Sequence, residues 1–235
     1  MDPINKYETI DQQAATDAAI SGFMTKVYGW MSLALFLTAF TAWYVSTSEA
    51  AINFIFGNPA VLWGMLIGEL VLVFIISGAI QKLSAQVASI LFVLYSMLTG
   101  ATLSVIFLVY TPESIATTFG ITGLTFGVIS VYGFVTKKDL SGWGSVLFIA
   151  LIGLIIASVV NIFFASSTLY WILSYAGVLI FAGLTAYDTQ KLKNLSTQVE
   201  EGETAMKLSI LGALTLYLDF INMFLYLLRF LGKRK

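Results

Sequence analysis

The sequence predicts an all-α polytopic membrane protein with seven transmembrane helices. Of its 235 residues, 58% are hydrophobic and only 11% are charged, and the mean hydropathy is +0.89. Soluble domains are about 45–50% apolar and about 25% charged, so a soluble fold is excluded. The long continuous apolar runs lack period-two alternation, which excludes a transmembrane β-barrel.

Seven stretches are long and apolar enough to cross a bilayer, which takes about 20 residues per helix. They lie at roughly 27–48, 60–80, 85–109, 114–135, 143–165, 168–187 and 208–231. Residues 1–26 read as a polar tail without the apolar segment of a signal peptide, and residues 232–235 as a basic tail. The chain is therefore expected to be one transmembrane domain, residues 27–231, with a short tail at each end.

The basic residues orient the bundle with the N-terminus in the cytoplasm, because cytoplasmic loops are rich in lysine and arginine. In that orientation the three outside loops carry only Glu49 and Glu113 as charged residues. The segments assigned to the cytoplasm carry Lys6, Lys26, Lys82, Lys137, Lys138, Lys191, Lys193 and Lys207. The basic segment 229–235 breaks this pattern if the seventh helix spans. The alternative is a broken or re-entrant helix. We expect spanning, with the C-terminus outside, because 208–231 contains no proline.

Charge and missing residue types exclude several functions. The formal net charge of -1 provides no basic patch for nucleic acid. Without cysteine or histidine, the chain has no thiolate metal site, no histidine-dependent serine protease and no HExxH zinc site. A retinal protein needs a mid-helix lysine where this chain has Asp219, and "TLYLDF" lacks the glycines of aspartyl intramembrane proteases. We therefore expect no enzymatic activity and no cofactor.

Three carboxylates lie in or beside apolar segments. Glu69 is near the middle of the second span, Asp188 at the inner end of the sixth, and Asp219 midway along the seventh. An aspartate at a helix centre costs about 2.5–3.5 kcal/mol on insertion scales, so such groups usually face the bundle interior and serve function. The alternatives are an interfacial Asp188 beside Lys191 and a purely structural Asp219 that organises hydrogen bonds.

Helical spacing indicates which way Asp219 points. Positions three, four and seven away share its face, and these include Gly212, Thr215, Asn222 and Tyr226. The opposite flank is apolar, so we expect the polar stripe to face protein or water and the seventh helix to be central. Thr215, Asn222 and Tyr226 are candidates for lining a pathway. Two close carboxylates cannot both ionise cheaply in a low dielectric, so a pair can sense protons without histidine.

Two motifs, "YDTQKLK" (187–193) and "LTLYLDFINMFLYLLR" (214–229), resemble the Bax inhibitor-1 family, also called transmembrane BAX inhibitor motif proteins. The similarity covers most of the chain, including "MLTGATLSVIFLVYT" (97–111), and is closest to inner-membrane members of Gram-negative bacteria. The resemblance implies a central C-terminal helix wrapped by two sets of three helices. It also implies a pH-sensitive calcium leak in which Asp188 and Asp219 share a proton.

In that family a basic group at the inner end of the second helix binds the last-helix aspartate. Here the segment "AIQKLS" offers Lys82 and no arginine. The partners implied are protons and Ca²⁺, the latter bound weakly near Asp188 and Asp219 because Ca²⁺ prefers six to eight oxygen ligands. Two alternatives remain. One is a proton-coupled transporter of a small solute that uses Glu69 and Asp219 as a relay. The other is a non-transporting membrane regulator of proteases or stress responses.

Overall fold

The computed structural model describes residues 3–199 and 201–235, with side chains described from residue 15 onward. Nearly all of this part of the chain is helical. The helices are α1 (Pro3–Ser46), α2 (Glu49–Phe56), α3 (Pro59–Ala79), α4 (Ala85–Leu103), α5 (Ile106–Val109), α6 (Pro112–Val135), α7 (Ser141–Phe164), α8 (Ser167–Ser196) and α9 (Glu203–Leu231). Seven segments are long and apolar enough to cross a membrane, with α4 and α5 together forming the third. This confirms the predicted all-α fold with seven spans.

The first span begins earlier than its hydropathy indicates. The predicted polar tail is helical from Pro3, and α1 continues through it without a break. Ile20, Phe23, Met24 and Val27 are buried, and their spacing of three, four and seven residues places them on one face. That stripe packs into the core, so the helix is stabilised before residue 27. Residues 1 and 2 and the side chains of 3–14, including that of Lys6, lie outside the described part of the chain.

The last helix, α9, is the centre of the bundle. It packs against α1 and α4 on one side and against α6 and α8 on the other. The helices α1, α3 and α4 form one set of three, and α6, α7 and α8 form the second set. Ala213, Leu216 and Tyr217 of α9 are fully buried. The arrangement implied by the family resemblance, a central helix wrapped by two sets of three, is therefore confirmed.

Helix starts are fixed by short polar side chains that accept hydrogen bonds from free backbone N–H groups. These N-caps are Ser48, Asn58, Ser84, Thr111 and Ser166. Before α7, Asp139 Oδ1 accepts from the Ser141 backbone N–H at 2.8 Å. The hydrogen bonds from the side chain and backbone of Ser141 lower the pKa of Asp139. This hydrogen bond to Asp139 thus fixes the beginning of α7, which forms one wall of the site described below.

Contacts at both ends show that α9 runs unbroken through the bundle. At its start, the Ala85 backbone N–H donates to Glu203 Oε1 at 3.2 Å. At its end, the Thr111 N–H donates to the Lys233 carbonyl at 2.9 Å, and the Lys235 N–H donates to the Val109 carbonyl at 3.0 Å. The helix therefore extends without a break from the α3–α4 loop to the α5–α6 junction.

A buried hydrogen bond ties α9 to α1. The Tyr217 hydroxyl lies 2.7 Å from Thr38 Oγ1, and Thr38 Oγ1 donates to the Ser96 carbonyl at 2.8 Å. The rings of Phe92 and Tyr95 meet the Tyr217 ring edge-on, at 5.9 and 5.8 Å between centroids. The three helices α1, α4 and α9 are thereby fixed at one point.

We expect Tyr217→Phe to lower the free energy of unfolding by about 1 kcal/mol, since it removes one buried hydrogen bond and keeps the ring packing. The measurement is reversible unfolding of the purified protein in mixed micelles. The control is Tyr175→Phe, because the Tyr175 side chain is 57% exposed and packs by its ring. Equal losses in the two variants would contradict a role for the Tyr217 hydroxyl.

Candidate functional site

A cleft of about 640 Å³, with polar side chains at its base, lies between α7 and α9. Both of these helices pack on α8. Its α7 wall is mainly apolar, with Phe148, Leu151 and Ile155 among its residues. The polar side chains come mostly from the beginning of α7, the last turns of α8 and the middle of α9. They are Ser141, Ser145, Tyr187, Asp188, Lys191, Thr215, Asp219, Asn222 and Tyr226. We call this the α7–α9 cleft.

The α7–α9 cleft brings together the two aspartates singled out in the sequence. The carboxyl groups of Asp188 and Asp219 lie close enough to interact across the α8–α9 interface, and both line the cleft. The two residues are only 8% and 4% exposed. Ionised carboxylates only accept hydrogen bonds, so a hydrogen bond between these two groups would require one proton on the pair.

The surroundings of Asp219 favour such a shared proton. No N–H or hydroxyl group of the described residues donates to the buried Asp219 Oδ2. A buried acceptor without a partner costs about 1–3 kcal/mol. The neighbouring Asp188 carboxyl supplies a partner only when the pair carries a proton. The buried Asp219 Oδ2 and its neighbour Asp188 are thus the atoms at this part of the α8–α9 interface that a proton could join.

The two aspartates meet because α8 continues beyond its apolar segment. Asp188 lies about two turns before the end of α8 at Ser196, and not at the boundary of the bundle. The extension is held by Leu192, which is buried and fits against Gly212 of α9, where a Cβ atom would lie 2.6 Å from Leu192 Cδ2. This close approach draws the C-terminal half of α8 onto α9 and carries Asp188 to Asp219.

The three polar residues predicted to share the face of Asp219 all line the α7–α9 cleft. Thr215 donates its hydroxyl proton to the Leu211 carbonyl at 3.1 Å. The Asn222 amide donates to the Leu218 carbonyl at 2.8 Å, which leaves its side-chain oxygen free to face a ligand. The Tyr226 ring stacks with Phe181 at 6.0 Å between centroids. Thr215 and Asn222 therefore add oxygen atoms to the cleft.

The basic residue beside the pair is Lys191, and Lys82 lies elsewhere. Lys191 lines the α7–α9 cleft and acts electrostatically on Asp188. Lys82 is exposed in the α3–α4 loop and is not among the residues of that cleft. Its position follows from α3, whose main packing partner is α4. The structure thus does not bring the predicted latch residue to Asp219.

Glu69 also lies outside the α7–α9 cleft. It is half-buried on α3, where it accepts a hydrogen bond from Thr102 Oγ1 of α4 at 2.7 Å. The structure therefore places Glu69 in the first helix set and does not join it to Asp219 as a relay.

Sequence reasoning missed the contribution of α7. Ser141, Gly144 and Ser145 line the cleft at its α7 edge. A Cβ atom at Gly144 would lie 2.5 Å from the Tyr187 ring, so the glycine makes room for that ring. The sequence pattern that could have indicated this wall is the spacing of these small residues, which lie three and four apart on one helix face. Among the described residues, no cluster of three or more carboxylates forms a metal centre.

The amino-acid sequence of the chain is similar to those of known proteins of one family. The family model described as "Inhibitor of apoptosis-promoting Bax1" matches residues 20–235. The chain is 52% identical to the inner membrane protein YbhL of Escherichia coli strain K12, over 99% of this chain and 100% of that protein. It is 47% identical to an uncharacterized protein of Borreliella burgdorferi, over 91% and 92% of the two chains. It is also 42% identical to the uncharacterized protein RP147 of Rickettsia prowazekii, over 97% and 96%.

Proposed function

The chain belongs to the Bax inhibitor-1 family, and on that premise we propose that it is a pH-sensitive cation leak pathway with Ca²⁺ as the cation. The observation that carries the proposal is the contact between Asp188 and Asp219 at the base of the α7–α9 cleft. The protein acts without enzymatic chemistry. Its partners are protons, Ca²⁺ and the lipid bilayer.

The shared proton is the gating element. With one proton the two carboxyl groups attract, and with none they are two adjacent anions. Two unit charges about 4 Å apart interact by about 4 kcal/mol at an effective dielectric constant near 20. That energy changes the ratio of two conformations by about a thousandfold, since each 1.4 kcal/mol is a factor of about ten. A change in proton number is therefore large enough to shift α8 against α9.

The cleft suits passage of a cation better than tight binding. Ca²⁺ takes six to eight oxygen ligands, and the oxygens of Asp188, Asp219, Thr215 and Asn222 supply only part of such a shell. Water must complete it, so binding is weak and release is fast. Lys191 at the edge of the cleft opposes cation entry electrostatically and limits the pathway to a leak.

The proposed location is a bacterial inner membrane, the location that the name of the Escherichia coli relative gives. With the N-terminus in the cytoplasm, the polar end of the α7–α9 cleft near Ser141 and Lys191 faces the cytoplasm. The C-terminus then lies outside, because α9 ends against the α5–α6 junction.

The test is Ca²⁺ flux into proteoliposomes that contain the purified chain, measured with an enclosed indicator across acidic to mildly alkaline pH. We expect passive flux whose rate changes with pH and which empty liposomes do not show. Absence of passive flux, combined with solute-dependent proton uptake, would instead establish a proton-coupled transporter. Flux that does not respond to pH would contradict gating by the aspartate pair.

A further inference from the structure

A second cleft, of about 1070 Å³, opens between α1 and α6, with Phe220 of α9 among its lining residues. We call it the α1–α6 cleft. It is lined by other residues than the α7–α9 cleft, and the proposed leak makes no use of it. Both of its walls belong to helices long and apolar enough to cross a membrane, and Val131 at its α6 wall is 62% exposed, so the cleft opens onto the outer surface of the bundle.

The α1–α6 cleft is long and mainly apolar, although Ser21, Thr25, Tyr28, Ser32 and Ser130 also line it. Its lining includes Met24, Met31, Leu35 and Phe126. From Asp17 to Leu35, the part of α1 that lines the cleft is about 27 Å long at 1.5 Å per residue. One leaflet contributes about half of the ~30 Å hydrocarbon thickness of a bilayer, so the cleft is longer than one leaflet is deep. Methionine side chains adapt to irregular apolar ligands. The cleft therefore has the length and surface to hold an acyl chain.

Two residues of opposite charge, Asp17 and Lys193, line the cleft. Asp17 lies before the apolar part of α1, and Lys193 lies in the last turn of α8. The Lys193 ammonium donates to the Phe134 carbonyl at 2.7 Å and lies 4.8 Å from the centroid of the Phe134 ring. An ammonium has three donors, so two remain for a ligand. The Asp17 carboxylate forms no hydrogen bond or ion pair with the described side chains.

We propose that the α1–α6 cleft binds an aminophospholipid, a lipid with a phosphate and a primary ammonium in its headgroup. The phosphate lies at Lys193, which binds phosphate as a point charge. The primary ammonium lies at Asp17, to which it donates hydrogen bonds. The acyl chains lie along the apolar walls.

The two charges discriminate between lipid classes. An anionic headgroup such as phosphatidylglycerol satisfies Lys193 and leaves Asp17 facing a phosphate of like charge. A phosphocholine headgroup brings a quaternary ammonium, which has no N–H to donate to the Asp17 carboxylate. The ethanolamine headgroup satisfies both residues. We expect preference for it by about tenfold, equivalent to about 1.4 kcal/mol.

Two glycines of α6 provide a matched pair of variants. Gly127 lines the α1–α6 cleft, and Gly123 lies one turn earlier on the same exposed face, beyond the residues that line the cleft. A Cβ atom at either position meets no other atom within 4 Å, so both sites accept a side chain without a clash. Gly127→Phe fills the cleft, and Gly123→Phe adds the same ring to the lipid-facing surface.

The experiment is native mass spectrometry of the full chain released from vesicles of equal phosphatidylethanolamine, phosphatidylglycerol and phosphatidylcholine. We expect retained phosphatidylethanolamine in the wild type and Gly123→Phe, and its loss in Gly127→Phe. Asp17→Asn and Lys193→Met are expected to abolish the tenfold preference, with melting temperatures of the lipid-free variants confirming that they are folded. Absence of retained lipid, a preference for another headgroup, or retention that survives Gly127→Phe would overturn the proposal. Equal loss in both phenylalanine variants would also overturn it.

Discussion

Asp219→Asn is expected to flatten the pH dependence of Ca²⁺ flux while the protein stays folded. Asparagine has the size of aspartate, and its amide donates a hydrogen bond to Asp188 at any pH. The α8–α9 contact is kept, but the proton that controls it is removed. A switch governed by one proton changes by at most about tenfold per pH unit. We expect that slope to fall to nearly zero in proteoliposome flux measurements.

The matched control is Glu69→Gln, which neutralises a carboxylate of another membrane-crossing helix, outside the α7–α9 cleft. We expect it to leave the pH dependence unchanged. Asp188→Asn replaces the other carboxyl group of the pair and is expected to reproduce the effect of Asp219→Asn. A normal pH dependence in either asparagine variant would refute the gating role of the pair. Loss of the dependence in Glu69→Gln would instead favour the relay mechanism.

Gly133→Ala is expected to destabilise the protein strongly. Gly133 of α6 lies against the backbone of α8, and a Cβ atom there would overlap the carbonyl oxygen of Ala186. The obstacle is backbone and has no alternative rotamer, so the helices must separate. Overpacking of this kind typically costs about 1–3 kcal/mol, and occasionally more. The measurement is the free energy of unfolding in mixed micelles.

The control for this prediction is Gly123→Ala on the same helix, where a Cβ atom meets open space. Alanine is favoured over glycine in a helix interior by about 0.5–1 kcal/mol, so this variant should be neutral or slightly more stable. The two substitutions are thus expected to have opposite signs. Similar effects of both would show that the close approach of α6 and α8 does not limit stability.

Hydropathy and helical period predicted most of the fold and the face of Asp219. Seven apolar runs mark the seven spans, because backbone in a bilayer must form its hydrogen bonds internally. The three-, four- and seven-residue spacing places Thr215, Asn222 and Tyr226 beside Asp219, and all three line the α7–α9 cleft. Patterns within one helix are local, so a single sequence reveals them.

Contacts between helices were harder to predict from the sequence. The meeting of Asp188 with Asp219 was implied only by the family resemblance, because residues 188–196 are mostly polar and hide the extension of α8. Leu192 holds that extension through the space left at Gly212, a pairing that no periodicity reveals. The position of Lys82 depends likewise on which neighbour α3 packs against. Which helices pack together depends on shape complementarity between segments that are distant in the sequence.

The odd number of crossings restricts how this protein can be built into larger assemblies. In the proposed topology, with all seven spans crossing, α1 starts on one side of the membrane and α9 ends on the other. Two copies joined in tandem by a soluble linker would require the second copy to insert upside down. A tandem biosensor or a linked dimer of defined stoichiometry therefore needs an additional hydrophobic spacer helix between the copies.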